Sequence, residues 1–218
     1  VSFTTNCQDG QSIGSDQIIG LLEGPENEIL IVERTLLNFL QRLSGIATNA
    51  KKFVRIIEDL GVGLLDTRKT TPGLRLLEKY ASGCGGSYNH RIGLFDRILI
   101  KDNHLAAAGV SEGSELEKFL HTVVQKKEED VIVEVEIDQI SQIHPAIQSG
   151  VDAVLLDNFT PENINWAVQE VQNKVVVEAS GGITEASIKD FAMARPHFIS
   201  TGAPIHSGRW VDIGLDWK

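Results

Sequence analysis

Four basic side chains stand at or near the ends of apolar runs in the first half of the chain. They are Arg68, Lys69, Arg91 and Lys101. Arginine offers a two-pronged donor to carboxylates and phosphates, and lysine offers a point charge. The whole chain carries a net charge of −10, so cations gathered at one end of a sheet indicate a local anion site. The alternative is that these charges are scattered over the surface.

Three carboxylates follow similar apolar runs later in the chain. Glu134 and Glu136 fall on one face of a strand, because side chains alternate with a period of two, and Asp157 ends a further run. Facing a cationic pocket, such groups can hold Mg²⁺, bind ribose hydroxyls or transfer protons. Glu136 and Asp157 lie nearest to strand ends and are the better functional candidates. For Glu134, simple pairing with a neighbouring Lys or Arg stays equally open.

Two glycine turns close the last predicted strands. Ser180-Gly181-Gly182 precedes a helix, and Gly202-Ala203 follows the final apolar run. Backbone amides in such turns, with a helix N-terminus behind them, form a cradle for anions. Phosphate sites at the last two loops are a recurring feature of α/β barrels, so the two turns together predict a phosphate site. The histidines from His104 onward show no metal-ligand spacing, and no zinc site is expected.

The elements that must position these residues alternate between β-rich runs and amphipathic segments. Six runs are predicted as strands: Val62–Asp66, Arg97–Lys101, Val131–Ile137, Ala153–Asp157, Lys174–Ala179 and His197–Thr201. Helices are predicted between them at 73–81, 112–127, 141–149, 161–171 and 185–194. The alternation predicts a parallel sheet with covered faces, either doubly wound or closed into a barrel. The polar strand ends favour an α/β fold with a parallel (β/α) barrel, incomplete or partly open because it has fewer strands than the usual eight.

The first sixty residues have a different pattern. Short strands are predicted at 1–4, 18–22 and 29–32, too few for an independent domain, so this part is expected to belong to a structure that begins earlier. From Glu33 to Leu60, apolar residues recur at alternating spacings of four and three, which predicts a helix. Gly45 interrupts this pattern and predicts a bend or two abutting helices.

The composition excludes several classes of protein. Hydrophobic residues make up 42% and charged residues 23%, as in a globular domain with a sizeable core. The negative net charge argues against duplex nucleic acid or an anionic membrane as a partner. No apolar run approaches the roughly 20 residues of a membrane span. Cys7 and Cys84 are too few for a disulfide framework, which suits a reducing cytoplasm.

Taken together, these segments resemble the quinolinate phosphoribosyltransferase family. The matching stretches occur in the family's order across nearly the whole chain, and several are long and unusual. They are Glu33–Asn38, Ser44–Thr48, Asp66–Gly73, Asn89–Arg91, Ile100–His104, Val133–Glu136, Leu156–Asn158 and Glu178–Ile183.

The resemblance implies that quinolinate and phosphoribosyl pyrophosphate react, with Mg²⁺, to give nicotinate mononucleotide, pyrophosphate and CO₂. It implies a clamp for the quinolinate carboxylates, with Lys69 nearby and able to reach phosphate. The clamp residues are Arg68, His90, Arg91 and Lys101. Glu136 and Asp157 would face the ribose and the Mg²⁺-pyrophosphate, with Glu134 behind them. Lys101, Glu136 and Asp157 are the expected catalytic residues.

The resemblance also implies a phosphate cradle and a subunit contact. The 5′-phosphate would lie against Ser180, Gly181, Gly202 and Ala203. Arg34 resembles the arginine that family members supply to the active site of the neighbouring subunit. A homodimer or higher homo-oligomer is therefore expected, with no nucleic acid or membrane as partner.

The resemblance divides the chain into two parts and shows two departures. Residues 1–34, with 207–218 returning to them, correspond to a remnant of an N-terminal open-faced sandwich domain, and residues 35–206 to the catalytic barrel. Family members begin with a further N-terminal stretch, which borders the partner's active site. The second departure is Pro204, directly after the phosphate turn, which bears on the shape of the last loop.

Three other interpretations stay open. A related phosphoribosyltransferase could act on another base, although a mononegative base would not need so many cations. A barrel isomerase or lyase could use the same phosphate site, but it would need an acid and a base on opposite walls. A phosphosugar-binding protein without activity would leave Glu136 and Asp157 without a role.

Overall fold

The computed structural model describes residues 1–217. Its strands are β1 (Ser2–Thr5), β2 (Gly20–Glu23), β3 (Gly63–Leu65), β4 (Ile98–Ile100), β5 (Val133–Ile137), β6 (Ala153–Asp157), β7 (Val176–Ser180) and β8 (Phe198–Ser200). Its α-helices are α1 (Glu26–Ile57), α2 (Arg75–Cys84), α3 (Asp102–Ala107), α4 (Gly113–Lys126), α5 (Ile143–Ser149), α6 (Pro161–Val171), α7 (Ile188–Met193) and α8 (Ala203–His206). Short 3-10 turns cover Glu58–Leu60 and Ile140–Gln142.

Six parallel strands form the main sheet, in the order β3-β8-β7-β6-β5-β4. This is the order of a barrel that is open between β3 and β4. Beside β3, Tyr88 pairs with Leu65, and its N–H donates to the carbonyl oxygen of Leu64 at 2.8 Å. The prediction of a parallel barrel that is incomplete or partly open is confirmed. The helices at 102–107 and 203–206 were not predicted.

The two faces of each strand differ in what they contact. On β5, Val133, Val135 and Ile137 pack into the hydrophobic core beneath the helices. Because strand side chains alternate, Glu134 and Glu136 face the inside of the barrel instead. The same alternation puts Leu155 and Asp157 of β6, Glu178 and Ser180 of β7, and Phe198 and Ser200 of β8 on the inside. The polar side chains therefore gather within the barrel and at its mouth.

The long helix α1 corrects two predictions. Residues 29–32 are helical and not a strand, because α1 already begins at Glu26, with acidic Glu26 and Glu28 in its first turn. Ile29 is buried, and so is Leu37 about two turns later. The apolar residues of this segment therefore contribute to the buried face of a helix.

Gly45 does not bend α1, which runs unbroken through it. Its role is a close contact: a Cβ atom there would lie only 2.8 Å from the carbonyl carbon of Arg209. The C-terminal segment also bonds to this helix, since the Val211 N–H donates to the Gln41 carbonyl at 3.1 Å. A glycine therefore lets the end of the chain pack directly on α1.

The N-terminal residues form an antiparallel pair, β1 with β2, in register from Ser2 opposite Glu23. Both strands are largely exposed. No helix within residues 1–217 combines the length and the apolar character needed to cross a membrane.

Candidate active site

The carboxyl ends of the six parallel strands meet at one mouth, as in α/β barrels generally. The loops there carry nearly every residue that the sequence analysis selected. Arg68 and Lys69 follow β3, Lys101 follows β4, and Glu136 and Asp157 lie on β5 and β6. The cationic and the acidic candidates thus share one end of the fold.

A cavity of about 600 Å³ opens at the ends of β7 and β8. Its lining includes five of the predicted residues, namely Lys69, Ser180, Gly181, Gly202 and Ala203. Gly181 has φ of 103°, which strongly favours glycine. A Cβ at Gly202 would lie 3.2 Å from the Cβ of Lys69, so the last loop packs against the first. The predicted phosphate residues therefore surround one cavity, with a lysine at its side.

Further polar residues line the same cavity without having been selected from the sequence. They include Asn49, Lys52, Thr184, His206 and Arg209. Lys52 comes from α1 and Arg209 from the C-terminal segment, both far in sequence from the glycine turns. His206 lies on α8, in which Pro204 occupies the first turn, a position that suits proline. Pro204 therefore lies in the first turn of a helix, where its missing N–H removes no intrahelical hydrogen bond.

The acidic candidates at the mouth are each held by a neighbour. Glu136 forms an ion pair with Lys101, the cation that ends β4. Asp157 accepts a hydrogen bond from the side-chain amide of Asn158 at 2.7 Å. The carboxylates of neighbouring strands β5 and β6 thus lie at the mouth beside a lysine ammonium. Carboxylate oxygens in such a place are the ligands that Mg²⁺ prefers.

A buried ion pair fixes the loop that carries His90. Asp66, at the end of β3, pairs with Lys79 of α2, and both are buried. Asp66 also accepts the His90 backbone N–H at 2.8 Å and the Asn89 side-chain amide at 2.7 Å. Burial raises the pKa of Asp66, although Lys79 and these hydrogen bonds oppose the shift. The segment beside β3 is therefore tied to the sheet by side-chain contacts as well as by Tyr88.

Inside the barrel, His90 meets two buried carboxyl groups. Its Nε2 lies 3.4 Å from Glu134 Oε2 and 3.4 Å from Glu178 Oε2. Burial lowers the pKa of His90, but the two carboxyl groups outweigh it and raise that pKa to about 9. The Arg91 backbone N–H, however, donates to His90 Nδ1 at 2.7 Å and favours the neutral ring. Because Nδ1 must keep its lone pair to accept this hydrogen bond, we assign the neutral ring in spite of the raised pKa, with the proton on Nε2.

The two glutamates differ in their protonation. Burial opposes the ionisation of Glu134, but His90 and Arg97 outweigh burial and lower its pKa. Arg97 donates to Glu134 Oε2 at 3.1 Å. Burial raises the pKa of Glu178, and the charge of Glu134 raises it further. The contact with His90 lowers this pKa but does not outweigh the other two effects. The cluster therefore pairs an ionised Glu134 with a Glu178 that favours its neutral form.

Nε2 of His90 and oxygens of the two glutamates lie within 4.8 Å of one another, a spacing that could suit a metal ion. A metal would need the lone pair of Nε2, and a histidine that binds a metal usually donates its other N–H. Here Nδ1 accepts a hydrogen bond, so Nε2 carries the proton. We therefore do not assign this cluster as a metal site.

Arg91 is buried, with 8% of its surface exposed. Burial lowers the pKa of Arg91, and the charge of Arg68 adds to that shift. The two guanidinium groups therefore act on each other electrostatically, as they would in a shared clamp. Of the predicted clamp, Arg68 is exposed, Lys101 is partly exposed and His90 lies deepest, beneath the mouth.

A second buried network supports the loop after β3. Glu78 of α2 accepts the Thr71 backbone N–H and the Thr71 hydroxyl at 2.8 and 2.9 Å. Arg42 of α1 donates to Glu78 at 2.8 Å and to the carbonyl oxygen of Ile205 at 3.0 Å. This network joins the loop of Arg68 and Lys69 to the loop after β8. No local sequence pattern predicts it, because Arg42, Glu78 and Ile205 lie far apart in the chain.

Arg34 lies apart from these residues. It is exposed on α1 and does not line the cavity at the mouth.

The chain matches both domain models of one family. Residues 46–216 match the C-terminal domain of quinolinate phosphoribosyl transferase, and residues 1–44 match its N-terminal domain. A probable nicotinate-nucleotide pyrophosphorylase (carboxylating) of Bacillus subtilis is 41% identical over 209 residues, which cover 96% of this chain and 71% of the relative. Its counterpart in Synechocystis is 36% identical over 218 residues, covering 99% and 72%.

Solved structures agree with the sequence relatives. The nicotinate-nucleotide pyrophosphorylase of Francisella tularensis superposes with a TM-score of 0.90 at 42% identity, covering 97% of this chain and 73% of that one. NadC of Streptococcus pyogenes gives a TM-score of 0.89 at 36% identity, with the same coverage of 97% and 73%. With both domain models matched in order and the strand-end residues gathered at one mouth, the chain belongs to the quinolinate phosphoribosyltransferase family.

Proposed function

We propose that this chain transfers the phosphoribosyl group of phosphoribosyl pyrophosphate to quinolinate and releases pyrophosphate and CO₂. The product is nicotinate mononucleotide, a precursor of NAD. The observation that carries the proposal is the arrangement at the mouth. A cavity with two glycine turns in its lining lies beside Lys69; Arg68 and Lys101 follow β3 and β4, and Arg91 lies in the segment between α2 and β4. One end of the barrel thus offers sites for a phosphosugar and for a dianionic base.

Quinolinate binding rests on the cations of the clamp. Two ring carboxylates need two sets of donors, and the guanidinium groups of Arg68 and Arg91 can each bind one in a bidentate fashion. Lys101 adds a point charge at the end of β4. Clamped in this way, the ring nitrogen is directed at the ribose C1 atom. Orientation of this kind is a large part of catalysis in a bimolecular transfer.

Phosphoribosyl pyrophosphate has two anionic ends. The 5-phosphate fits the cavity formed by the turns at Gly181 and Gly202, where backbone amides and Lys69 provide donors. The pyrophosphate would then lie toward β5 and β6, where Glu136 and Asp157 face the mouth. This placement puts ribose C1 between the carboxylates and the cationic clamp.

Magnesium fits the donors that these strands provide. Glu136 and Asp157 lie at the mouth on adjacent strands, and each offers carboxylate oxygens, the ligand type that Mg²⁺ prefers. We propose that they hold Mg²⁺ largely through water and the pyrophosphate, with Glu134 behind them. When bound, the ion would neutralise charge on the leaving pyrophosphate. Lys101 lies close enough to pair with Glu136 and so keeps its carboxylate at the mouth.

The transfer itself develops positive charge on the ribose. Glu136 and Asp157 can stabilise that charge electrostatically from one side. After transfer the ring nitrogen is cationic, which stabilises the electron pair left on C2 when the adjacent 2-carboxylate leaves as CO₂. A proton from water then replaces the carboxylate at C2. The clamp arginine that binds the 2-carboxylate holds it until it leaves. Ribosyl transfer before decarboxylation is the order that this charge argument favours.

We further propose that two copies of the chain associate. Large apolar side chains are exposed on α1 and α2 and in the loop before β4; they include Leu30, Ile31, Leu76, Tyr80, Leu94 and Phe95. Ile31 is 76% exposed and Phe95 80% exposed. Exposed apolar groups in such number usually mark an interface. Arg34 lies among them on α1, placed to reach a second copy rather than its own mouth.

We propose a cytoplasmic location as well. Cys7 and Cys84 are both free, which suits a reducing compartment.

A coupled assay tests the function directly. Purified protein is mixed with quinolinate, phosphoribosyl pyrophosphate and Mg²⁺, and release of pyrophosphate and CO₂ is measured. Equal release of both is expected. Release of pyrophosphate with another base but not with quinolinate would identify a different transferase. A protein that neither binds quinolinate nor releases pyrophosphate would overturn the proposal.

A further inference from the structure

Glu178 is a buried carboxyl group that the proposed reaction does not use. It lies on the inner face of β7 with 1% of its surface exposed. Its Oε1 has no hydrogen-bond partner among the described residues. Its Oε2 faces His90 Nε2 at 3.4 Å. Burying such a group without full pairing costs stability, so its presence calls for a reason.

The contacts of His90 lead from Glu178 to the clamp. His90 lies between Glu178 of β7 and Glu134 of β5, two alternate strands of the barrel. Alternate strands supply the side chains of one layer inside such a barrel. On its other side, His90 Nδ1 accepts the Arg91 backbone N–H at 2.7 Å. The imidazole of His90 therefore contacts side chains of both β5 and β7 and also the backbone of Arg91.

A second set of contacts connects Arg91 to Glu134 through Arg97. The Arg91 guanidinium lies 3.5 Å from the Arg97 carbonyl oxygen, and the Arg97 guanidinium donates to Glu134 Oε2 at 3.1 Å. His90, Arg91, Arg97 and Glu134 thus form a closed ring of contacts. Glu178 meets this ring through its contact with His90 Nε2 at 3.4 Å, and one of its carboxylate oxygens also lies within 4.8 Å of an oxygen of Glu134. The ring lies beside the gap between β3 and β4, which do not pair with each other; on the β3 side of the gap, Tyr88 forms a bridge with Leu65.

We infer that Glu178 is a positioning residue for binding of the pyridine dicarboxylate. It holds the imidazole of His90 against Glu134, and through the Arg91 N–H it fixes the guanidinium of Arg91 at the mouth. The inference rests on the proposed function, and deepens it for the base site. Glu178 is too deep to bind phosphoribosyl pyrophosphate, whose cavity is lined by later residues of β7 and by the loop after it.

The structure predicts which substitutions of Glu178 matter. Glu178→Gln keeps the shape and an acceptor for Nε2–H, so it mimics the neutral acid. Glu178→Met fills the space but removes the acceptor, and it also removes a costly buried carboxyl group. Both variants are expected to fold, but only Glu178→Met leaves His90 Nε2–H without its contact on the β7 side.

The test compares Michaelis constants for the two substrates. Glu178→Met is expected to raise the KM for quinolinate by about tenfold, from the lost buried contact and the displaced guanidinium, with the KM for phosphoribosyl pyrophosphate unchanged. Glu178→Gln is expected to stay within about threefold of the wild type, since it retains the acceptor. Glu170→Gln is the matched control, because Glu170 faces His144 Nε2 at the same 3.4 Å but on the exposed surface.

Thermal melting of each variant shows whether it is folded. A folded Glu178→Met variant with an unchanged KM for quinolinate would overturn the inference. Equal rises in both Michaelis constants would also overturn it, since a general loss of structure acts on both substrates. If Glu178→Met fails to fold, the test depends on Glu178→Gln. A rise in its KM for quinolinate as large as that of Arg91→Ala would contradict the acceptor role assigned to Glu178.

Calorimetric titration with quinolinate alone separates this inference from the proposed function. If the wild type binds quinolinate without releasing pyrophosphate, the proposed reaction fails. The positioning role would still stand if Glu178→Met weakened that binding by about tenfold. Equal binding by the wild type and by Glu178→Met would overturn it.

Discussion

The backbone nitrogen of Asn158 lies 2.6 Å from where a Cβ atom at Gly181 would be. Asn158 follows Asp157 at the end of β6, and its N–H donates to the Ser180 carbonyl at 2.9 Å. Its side-chain amide donates to Asp157 at 2.7 Å. One asparagine therefore joins the phosphate turn after β7 to the carboxylate of β6. A glycine at 181 is required for that close approach.

Replacing Gly181 by Ala is expected to damage both fold and phosphate binding. Gly181 has φ of 103°, so alanine adds backbone strain to the steric clash with Asn158. We expect a loss of about 1–3 kcal/mol in the free energy of unfolding. The KM for phosphoribosyl pyrophosphate should rise more than the KM for quinolinate. Denaturant unfolding and initial rates measure these effects. Gly214→Ala is the control, because nothing lies within 4 Å of its added Cβ.

Removing the clamp cations is expected to abolish turnover of quinolinate. Arg91→Ala leaves a buried space and removes one bidentate donor, and Lys101→Ala removes a charge and the partner of Glu136. Each should reduce kcat/KM for quinolinate by about a hundredfold or more. Lys174→Ala, at an exposed site before β7, serves as a control. Unchanged turnover in either clamp variant would show that the clamp is assigned to the wrong residues.

Chelation of divalent cations is expected to stop phosphoribosyl transfer but not quinolinate binding. In the proposed site, side chains of the clamp would bind quinolinate, whereas Glu136 and Asp157 would hold Mg²⁺ near the pyrophosphate. The check is an assay in excess chelator, followed by Mg²⁺ addition, beside calorimetric titration with quinolinate. Full turnover in chelator would exclude the magnesium proposal.

Mixing two inactive variants tests the role of Arg34 in a neighbouring subunit. In the proposed dimer, Arg34→Ala and Lys101→Ala would damage one active site from different subunits. Mixed dimers then contain one intact site, so random exchange should restore about one quarter of the wild-type rate. Activity is measured after the two proteins are unfolded and refolded together. If the mixture stays as inactive as its parts, Arg34 acts within its own chain or not at all.

The network of Glu78 predicts a pH dependence of stability. Burial opposes its ionisation, but Thr71 and Arg42 outweigh burial and lower the pKa of Glu78 below its usual 4.5. A carboxyl group with a lowered pKa in the folded state stabilises the protein above the pKa of the unfolded chain. This stabilisation is lost as the pH falls through the folded-state pKa. Glu78→Gln should therefore be less stable at neutral pH, by about 1–3 kcal/mol.

The difference between Glu78→Gln and the wild type should shrink as the pH falls below 4.5. Denaturant unfolding at several pH values measures it. Glu129→Gln, at an exposed position in the turn after α4, gives the baseline. A difference that is the same at neutral and acid pH would contradict the assigned charge on Glu78.

Much of the fold could be predicted because each strand and helix has its own local pattern. All six parallel strands were predicted within two residues of their observed limits, since buried β-rich runs alternate with amphipathic helices. Residues 29–32 were wrongly predicted as a strand because four aliphatic residues in a row fit either structure. The burial of Ile29 in line with Leu37 depends on what α1 packs against. Gly45 was likewise misinterpreted, because its partner, Arg209, is distant in sequence.

For the candidate site, the residues at strand ends and in the glycine turns can be identified from the sequence. Parallel strands bring their carboxyl ends together, so the sequence alone places Arg68, Lys101, Glu136 and Asp157 at one mouth. The contacts between distant segments could not. The pairing of Glu178 with His90, and of Arg42 with Glu78, requires the curvature of the sheet and the packing of α1, which no local pattern encodes. Those long-range contacts set the protonation and the position of the groups that the local patterns supply.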